Sequence, residues 1–142
     1  MKIMAGVYLL IQSVWDIRTK KIPLWVTLCF GGCSLFYSIC CNRDCLEYIY
    51  AFIPGLICFL LGYWTKESIG YGDAGLLCAL GMLYSFENIV FICMTAVVLA
   101  GITGLILLVV FHKNGKYEIP FVPFLWMGWL FLLVGEGSGR IL

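Results

Sequence analysis

From Asn88 to Phe111 the chain runs without a charged residue. A helix that crosses a bilayer needs about 20 consecutive apolar residues, and this run supplies them. Five more uncharged runs surround it: Ile3 to Trp15, Ile22 to Cys41, Tyr48 to Thr65, Ala74 to Phe86 and Ile119 to Gly135. Charge is confined to the gaps between them, chiefly Asp16–Lys21, Arg43–Glu47, Lys66–Asp73 and His112–Glu118. Over the whole chain 63% of residues are apolar and 12% charged, against about 25% charged in a soluble domain. So little polar surface cannot cover a water-facing globule, and lipid becomes the solvent. Disorder, nucleic-acid binding and a coiled coil are excluded by the same shortage. The net charge of +1 carries no information about partners.

Only Glu87 and Asn88 separate the fourth and fifth runs. A single helix from Ala74 to Phe111 would be about 57 Å long at 1.5 Å per residue, roughly twice the hydrocarbon thickness, so a tight turn is predicted near Ser85–Asn88. The N-terminal run has no small-residue cleavage site before Asp16 and reads as a first span, not a signal peptide. The sequence therefore predicts an all-α membrane protein, a single domain over 1–142 formed by six transmembrane helices. Arg18, Lys20, Lys21, Lys66, Lys113 and Lys116 fall on one side, against Lys2, Arg43 and Arg140 on the other. That bias puts both termini on the non-cytoplasmic side. Ala96, Ala100 and Gly104, with Gly31, Gly32, Gly55 and Gly62 elsewhere, are candidates for close helix packing.

Eight cysteines are present, most of them inside apolar runs, where cysteine acts as a small hydrophobe. No C-x-x-C pair occurs, so neither a structural zinc site nor any other metal or cofactor is expected. Cys40, Cys41 and Cys45 cluster at one end of the second and third runs, and whether they pair is left open.

Asp16 and Asp73 do not fit a passive bundle. The first and fourth runs approach membrane length only if these acids are counted inside them, the fourth then covering 68–86. Alternation of direction brings the end of the first helix and the start of the fourth to the same, cytoplasmic, level. An ionisable group in a span costs several kcal/mol unless paired or hydrated, and Asp73 follows Gly70-Tyr71-Gly72, a backbone free to bend or approach another element. For Asp16, pairing with Arg18 or Lys20 is the alternative to function. Two facing carboxylates in a partly dry site hold one proton between them, and such a pair hydrolyses peptides without metal. His112, the one histidine, has no nucleophile to serve and reads as a loop residue.

These residues resemble a known family. Ile69-Gly70-Tyr71-Gly72-Asp73-Ala74-Gly75-Leu76-Leu77, followed by Ala79-Leu80-Gly81, looks like the GxGD segment of type IV prepilin peptidases. Asp16-Ile17-Arg18 through Lys21-Ile22-Pro23 resembles that family's first motif. Ile119-Pro120-Phe121-Val122-Pro123-Phe124 before Gly128 resembles its C-terminal stretch. The resemblance implies an intramembrane aspartic endopeptidase with Asp16 and Asp73 as its catalytic pair. It also implies a prepilin or pseudopilin substrate whose short basic leader is cut at the cytoplasmic face of a prokaryotic plasma membrane. Gly75 stands where many members have lysine and Leu24 where asparagine is frequent. The chain begins at the peptidase helices, so N-methylation is not expected of it.

Glu67 and Glu118 are candidates for docking the basic leader. Pro120 and Pro123 are expected to disturb the start of the sixth helix and to leave backbone groups facing the site. Two other classes remain open at this stage: a proton-coupled carrier that uses buried acids as a relay, and a non-catalytic membrane subunit that binds a pilin-type helix.

Overall fold

A computed structural model describes residues 2–19, 22–41, 45–64, 70–109 and 120–137, all in helices or their immediate ends. The helices are α1 (Lys2–Thr19), α2 (Leu24–Cys40), α3 (Cys45–Trp64), α4 (Tyr71–Gly81), α5 (Phe86–Val109) and α6 (Val122–Gly137), and no strand occurs among the described residues. Six helices match the number of uncharged runs. By length and composition α5 suffices to cross a membrane, with 24 residues and a mean hydropathy of 2.6. α2 and α6 are apolar but shorter, at 17 and 16 residues.

α1 packs on α6, α6 on α5, α5 on α3, α3 on α4 and α4 on α2. The circuit closes where Tyr8 of α1 stacks on Phe30 of α2, with ring centroids 3.8 Å apart. α4 has buried residues nearly all round, among them Ala74, Leu76, Leu77, Ala79 and Leu80, as expected of a helix with apolar residues on every face. Leu76, Leu77 and Leu80 meet Leu9, Ile92 and Leu125 in one core cluster.

α2 is inside out by the standards of a soluble protein. Its buried residues are Thr27, Gly31, Ser34 and Ser38, whereas Trp25, Leu28, Phe36 and Ile39 are exposed. Such a helix is stable only if its outer face meets an apolar solvent. Inside, small residues let backbones approach: a Cβ at Gly31 would sit 3.7 Å from Ala79 Cβ, and one at Gly55 would run into Cys78 of α4. Pro54, next to Gly55, removes one backbone bond from α3. Gly32, expected to pack likewise, meets nothing within 4 Å. Of the α5 stripe, Ala96 is fully buried while Ala100 and Gly104 stay partly exposed.

The fourth helix differs from expectation. The charge pattern predicts a helix over 68–86; α4 has 11 residues, about 16 Å. Gly70 is extended (φ −64°, ψ 127°) and its carbonyl accepts the N–H of Asp73 at 3.0 Å, so the helix starts after it. At the far end the Leu80 carbonyl accepts from both Leu83 and Tyr84, at 2.9 and 3.0 Å, which closes a turn, and α5 begins at Phe86. The turn predicted near Ser85–Asn88 is therefore present a few residues earlier.

Past that turn the Trp129 indole N–H donates to the Tyr84 hydroxyl at 2.7 Å, both residues being buried. Tyr84→Phe is expected to leave a buried donor unpaired and cost about 1–3 kcal/mol. A denaturation midpoint in detergent should fall accordingly, with peptidase activity per folded molecule unchanged.

Candidate active site

Three helices start in the segments that the sequence singles out, and each start has a visible cause. Pro23, with its fixed φ of −69°, precedes α2, and its carbonyl accepts from Val26 and Thr27 at 3.1 and 3.4 Å. Gly70 does the same for α4, accepting from Asp73 and Ala74. Phe121 does so for α6, accepting from Phe124 at 3.0 Å and Leu125 at 3.3 Å. The starts of α2 and α4 lie side by side. A Cβ at Gly72 would come 2.7 Å from Ile22 Cβ, so α4 opens against the residue just before Pro23. α6 opens against the end of α1 through Asp16.

Asp16 is buried, three residues before Thr19, the last residue of α1. Its Oδ2 accepts the Val122 N–H at 3.1 Å, and the neighbouring Phe121 N–H acts on it electrostatically. The proline pattern explains why those two are available. Pro120 and Pro123 have no N–H, and the Phe124 N–H is spent on Phe121, so the first turn of α6 has the Phe121 and Val122 donors left over. The expected irregularity is confined to 120–121, and α6 is continuous from Val122 although Pro123 is its second residue. Asp16 thus caps α6 across 106 positions of sequence. That contact, and not a pairing with Arg18, is its hydrogen-bonded environment among the described residues; Lys20 lies outside them.

Asp73 is half-buried in the first turn of α4. Its Oδ2 lies 3.2 Å from where a Gly70 Cβ would be. The two glycines of Gly70-Tyr71-Gly72 therefore do different jobs. The first leaves room for the Asp73 carboxylate, and the second lets Ile22 approach the α4 backbone. Asp16 lies within electrostatic reach of Asp73. Both acids face an end of the bundle where helix N-termini collect, and the partial positive charge of those ends favours carboxylates. Glu67, Glu118 and His112 lie outside the described residues, as does the side chain of Cys45. Cys40 and Cys41 are free and exposed.

Sequence reasoning missed the polar side chains behind Asp16. Tyr8, Gln12 and Asp16 recur every four residues and so line one face of α1. Tyr8 Oη donates to Thr27 Oγ1 at 3.1 Å, and Gln12 Nε2 donates to Tyr8 Oη at 3.2 Å and to Thr27 Oγ1 at 3.4 Å. The four-residue spacing was the available signal, hidden by the low charge of the run.

The described residues thus form an α-helical bundle with an apolar outside and polar residues turned inward, Asp16 bound to the start of α6 and Asp73 in the first turn of α4. The profile of the type IV leader peptidase family matches residues 3–109, and the chain belongs to that family and is a peptidase. It is 31% identical to the leader peptidase HopD of Escherichia coli, over 87% of this chain and 88% of that protein. It is 26% identical to the prepilin leader peptidase/N-methyltransferase of Pectobacterium carotovorum subsp. carotovorum, over 92% of this chain and 49% of that one. With the preflagellin peptidase of Methanocaldococcus jannaschii it shares 30% identity over 61% of its length, 38% of that protein's. No solved structure matches.

Proposed function

We propose that the chain is an integral-membrane aspartic endopeptidase that removes the basic leader of prepilin-like proteins, with Asp16 and Asp73 as its catalytic pair. What supports this reading is that Asp16, bound to the start of α6, and Asp73, in the first turn of α4, lie within electrostatic reach of each other. Asp16, with one carboxylate oxygen anchored by the Val122 N–H, is the better-placed base. It takes a proton from water as the water oxygen bonds to the scissile carbonyl carbon. Asp73 carries the shared proton and gives it to the carbonyl oxygen. When the intermediate collapses, the C–N bond breaks, the proton returns from that oxygen to Asp73, and Asp16 passes its own to the leaving amine. Pro23, Gly70, Gly72, Pro120 and Pro123 keep the acids in position by setting where the three helices begin.

In this reading the six helical segments form a multi-pass bundle in the plasma membrane of a prokaryote, with both termini outside the cytoplasm and residues 1–142 acting as one unit; α4, with 11 residues, does not span the hydrocarbon by itself. Trp25, at the start of α2, and Trp64, at the end of α3, are 84% and 85% exposed. With Trp15 and Tyr63, also exposed, they form an aromatic belt suited to the lipid–water boundary, at the end that holds the acids. The prepilin-like substrate follows from the relatives named above. Its leader would lie in water while the apolar helix after the cut stays in lipid.

Co-expression with a prepilin-like protein tests this. The expected product is shorter by the leader, with a new N-terminus directly before the apolar helix by mass spectrometry. Uncut substrate beside correctly inserted protein, across a panel of prepilins, would count against the reading.

A further inference from the structure

Gln12 is 1% exposed, and one end of its amide is bound to Tyr8 and Thr27. The other end, Oε1, has no hydrogen-bond partner among the described residues. Turning the amide over exchanges its oxygen and nitrogen but still leaves one polar atom unpartnered. A buried polar atom without a partner is costly, and proteins meet that cost with ordered water. Nothing in the fold requires a polar group here, because Tyr8 and Thr27 already bond to each other at 3.1 Å. A methionine here would give up the two Gln12 bonds and leave the Tyr8–Thr27 bond in place.

The location suggests why glutamine is present. Gln12 lies one turn before Asp16 on the same face of α1, about 6 Å along the axis. Its partner Thr27 lies against α4, with Cγ2 3.8 Å from where a Gly75 Cβ would be, two residues past Asp73. The amide therefore sits behind both acids, among the helices that carry them. Tyr8 is itself clamped flat on Phe30, with 2° between the rings, so the amide is held in one orientation.

We propose that Gln12 holds a buried water behind Asp16 and Asp73, and that this water positions the acid pair for hydrolysis. The inference rests on the peptidase reading above. Gln12 is a positioning residue that acts through the water and does not touch the substrate. The water donates one hydrogen to the Gln12 amide oxygen and the other to the Asp16 carboxylate, and its own oxygen accepts from Asp73 when that acid carries the shared proton. Removing it would leave the acids free to settle in unproductive arrangements.

The test is Gln12→Met in the full chain, compared with wild type and with Asp16→Asn in cleavage of a prepilin. Turnover should fall about tenfold, the worth of one good hydrogen bond, while KM stays within about twofold. The thermal midpoint should move little, since the Tyr8–Thr27 bond remains when the Gln12 amide and its water are together replaced by an apolar side chain. A structural role alone would lower the midpoint and leave turnover per folded molecule intact. A high-resolution structure in lipid should show water within hydrogen-bond distance of the Gln12 amide in wild type. Unchanged turnover of Gln12→Met, or a dry amide in wild type, overturns the inference. If wild type itself cleaves nothing, or Asp16→Asn cleaves as well as wild type, the peptidase reading has failed instead.

Discussion

Asp16→Asn and Asp73→Asn are each expected to lower turnover by at least about a thousandfold, while the protein inserts and melts as wild type does. Asparagine has nearly the shape of aspartate and keeps an acceptor oxygen. At position 16 it can still accept the Val122 N–H that is bound at 3.1 Å. It cannot take a proton from water, and at position 73 it cannot deliver one. Because the two acids act as a unit, the double variant should be little worse than either single one. Cleavage of a prepilin followed over time, with KM and the thermal midpoint measured alongside, reads all of this. Either asparagine variant turning over at more than a tenth of the wild-type rate would remove the acid pair from the mechanism. Alanine at position 16 should behave differently. It removes the cap on α6 as well and is expected to cost about 1 kcal/mol more in stability than asparagine.

The second large effect is expected at Gly72. Alanine is the better helix former by about 1 kcal/mol, so propensity favours the change and only contact opposes it. The added Cβ would lie 2.7 Å from Ile22 Cβ. Both atoms are attached directly to backbone, and no rotamer change separates them, so the start of α2 must move away from α4. That movement shifts the boundary against which both acids are set, and cleavage should fall about a hundredfold. Ile22→Gly in the same chain clears the contact and should restore a substantial part of the activity, whereas Ile22→Val, which keeps its Cβ, should not. Gly70→Ala should be milder, near tenfold, because the atom it approaches, Asp73 Oδ2 at 3.2 Å, can turn aside. Equal activity of Gly72→Ala and wild type would show that the approach of Ile22 is not needed.

The helices were legible because charge marks where lipid ends. Uncharged runs gave six of them, and the alternation of direction led to the expectation that Asp16 and Asp73 share a level. The extent of α4 was not legible. Hydropathy does not distinguish an extended Gly70 from a helical one, and what decides is the hydrogen bond from Asp73 to the Gly70 carbonyl. The partner of Asp16 was hidden for a different reason. Two prolines were visible near the start of α6, and their effect on backbone donors was anticipated in outline. That the spare Val122 donor would be taken by an acid 106 positions earlier is a matter of packing. Gln12 and the inward Thr27, Ser34 and Ser38 were averaged away, since a few polar residues scarcely change the hydropathy of a run.

The tether between Asp16 and the start of α6 bears on how the protein can be shortened. Similarity to the family profile ends at residue 109, which invites a minimal fragment cut there. Such a fragment would keep both acids and every glycine of the GxGD segment, yet Asp16 would have lost the backbone that anchors it. Engineering or splitting this chain therefore has to keep its last helix with Asp16, and, on the proposed function, a complementing peptide that begins before Phe121 is the smallest piece with a prospect of reviving the truncated protein.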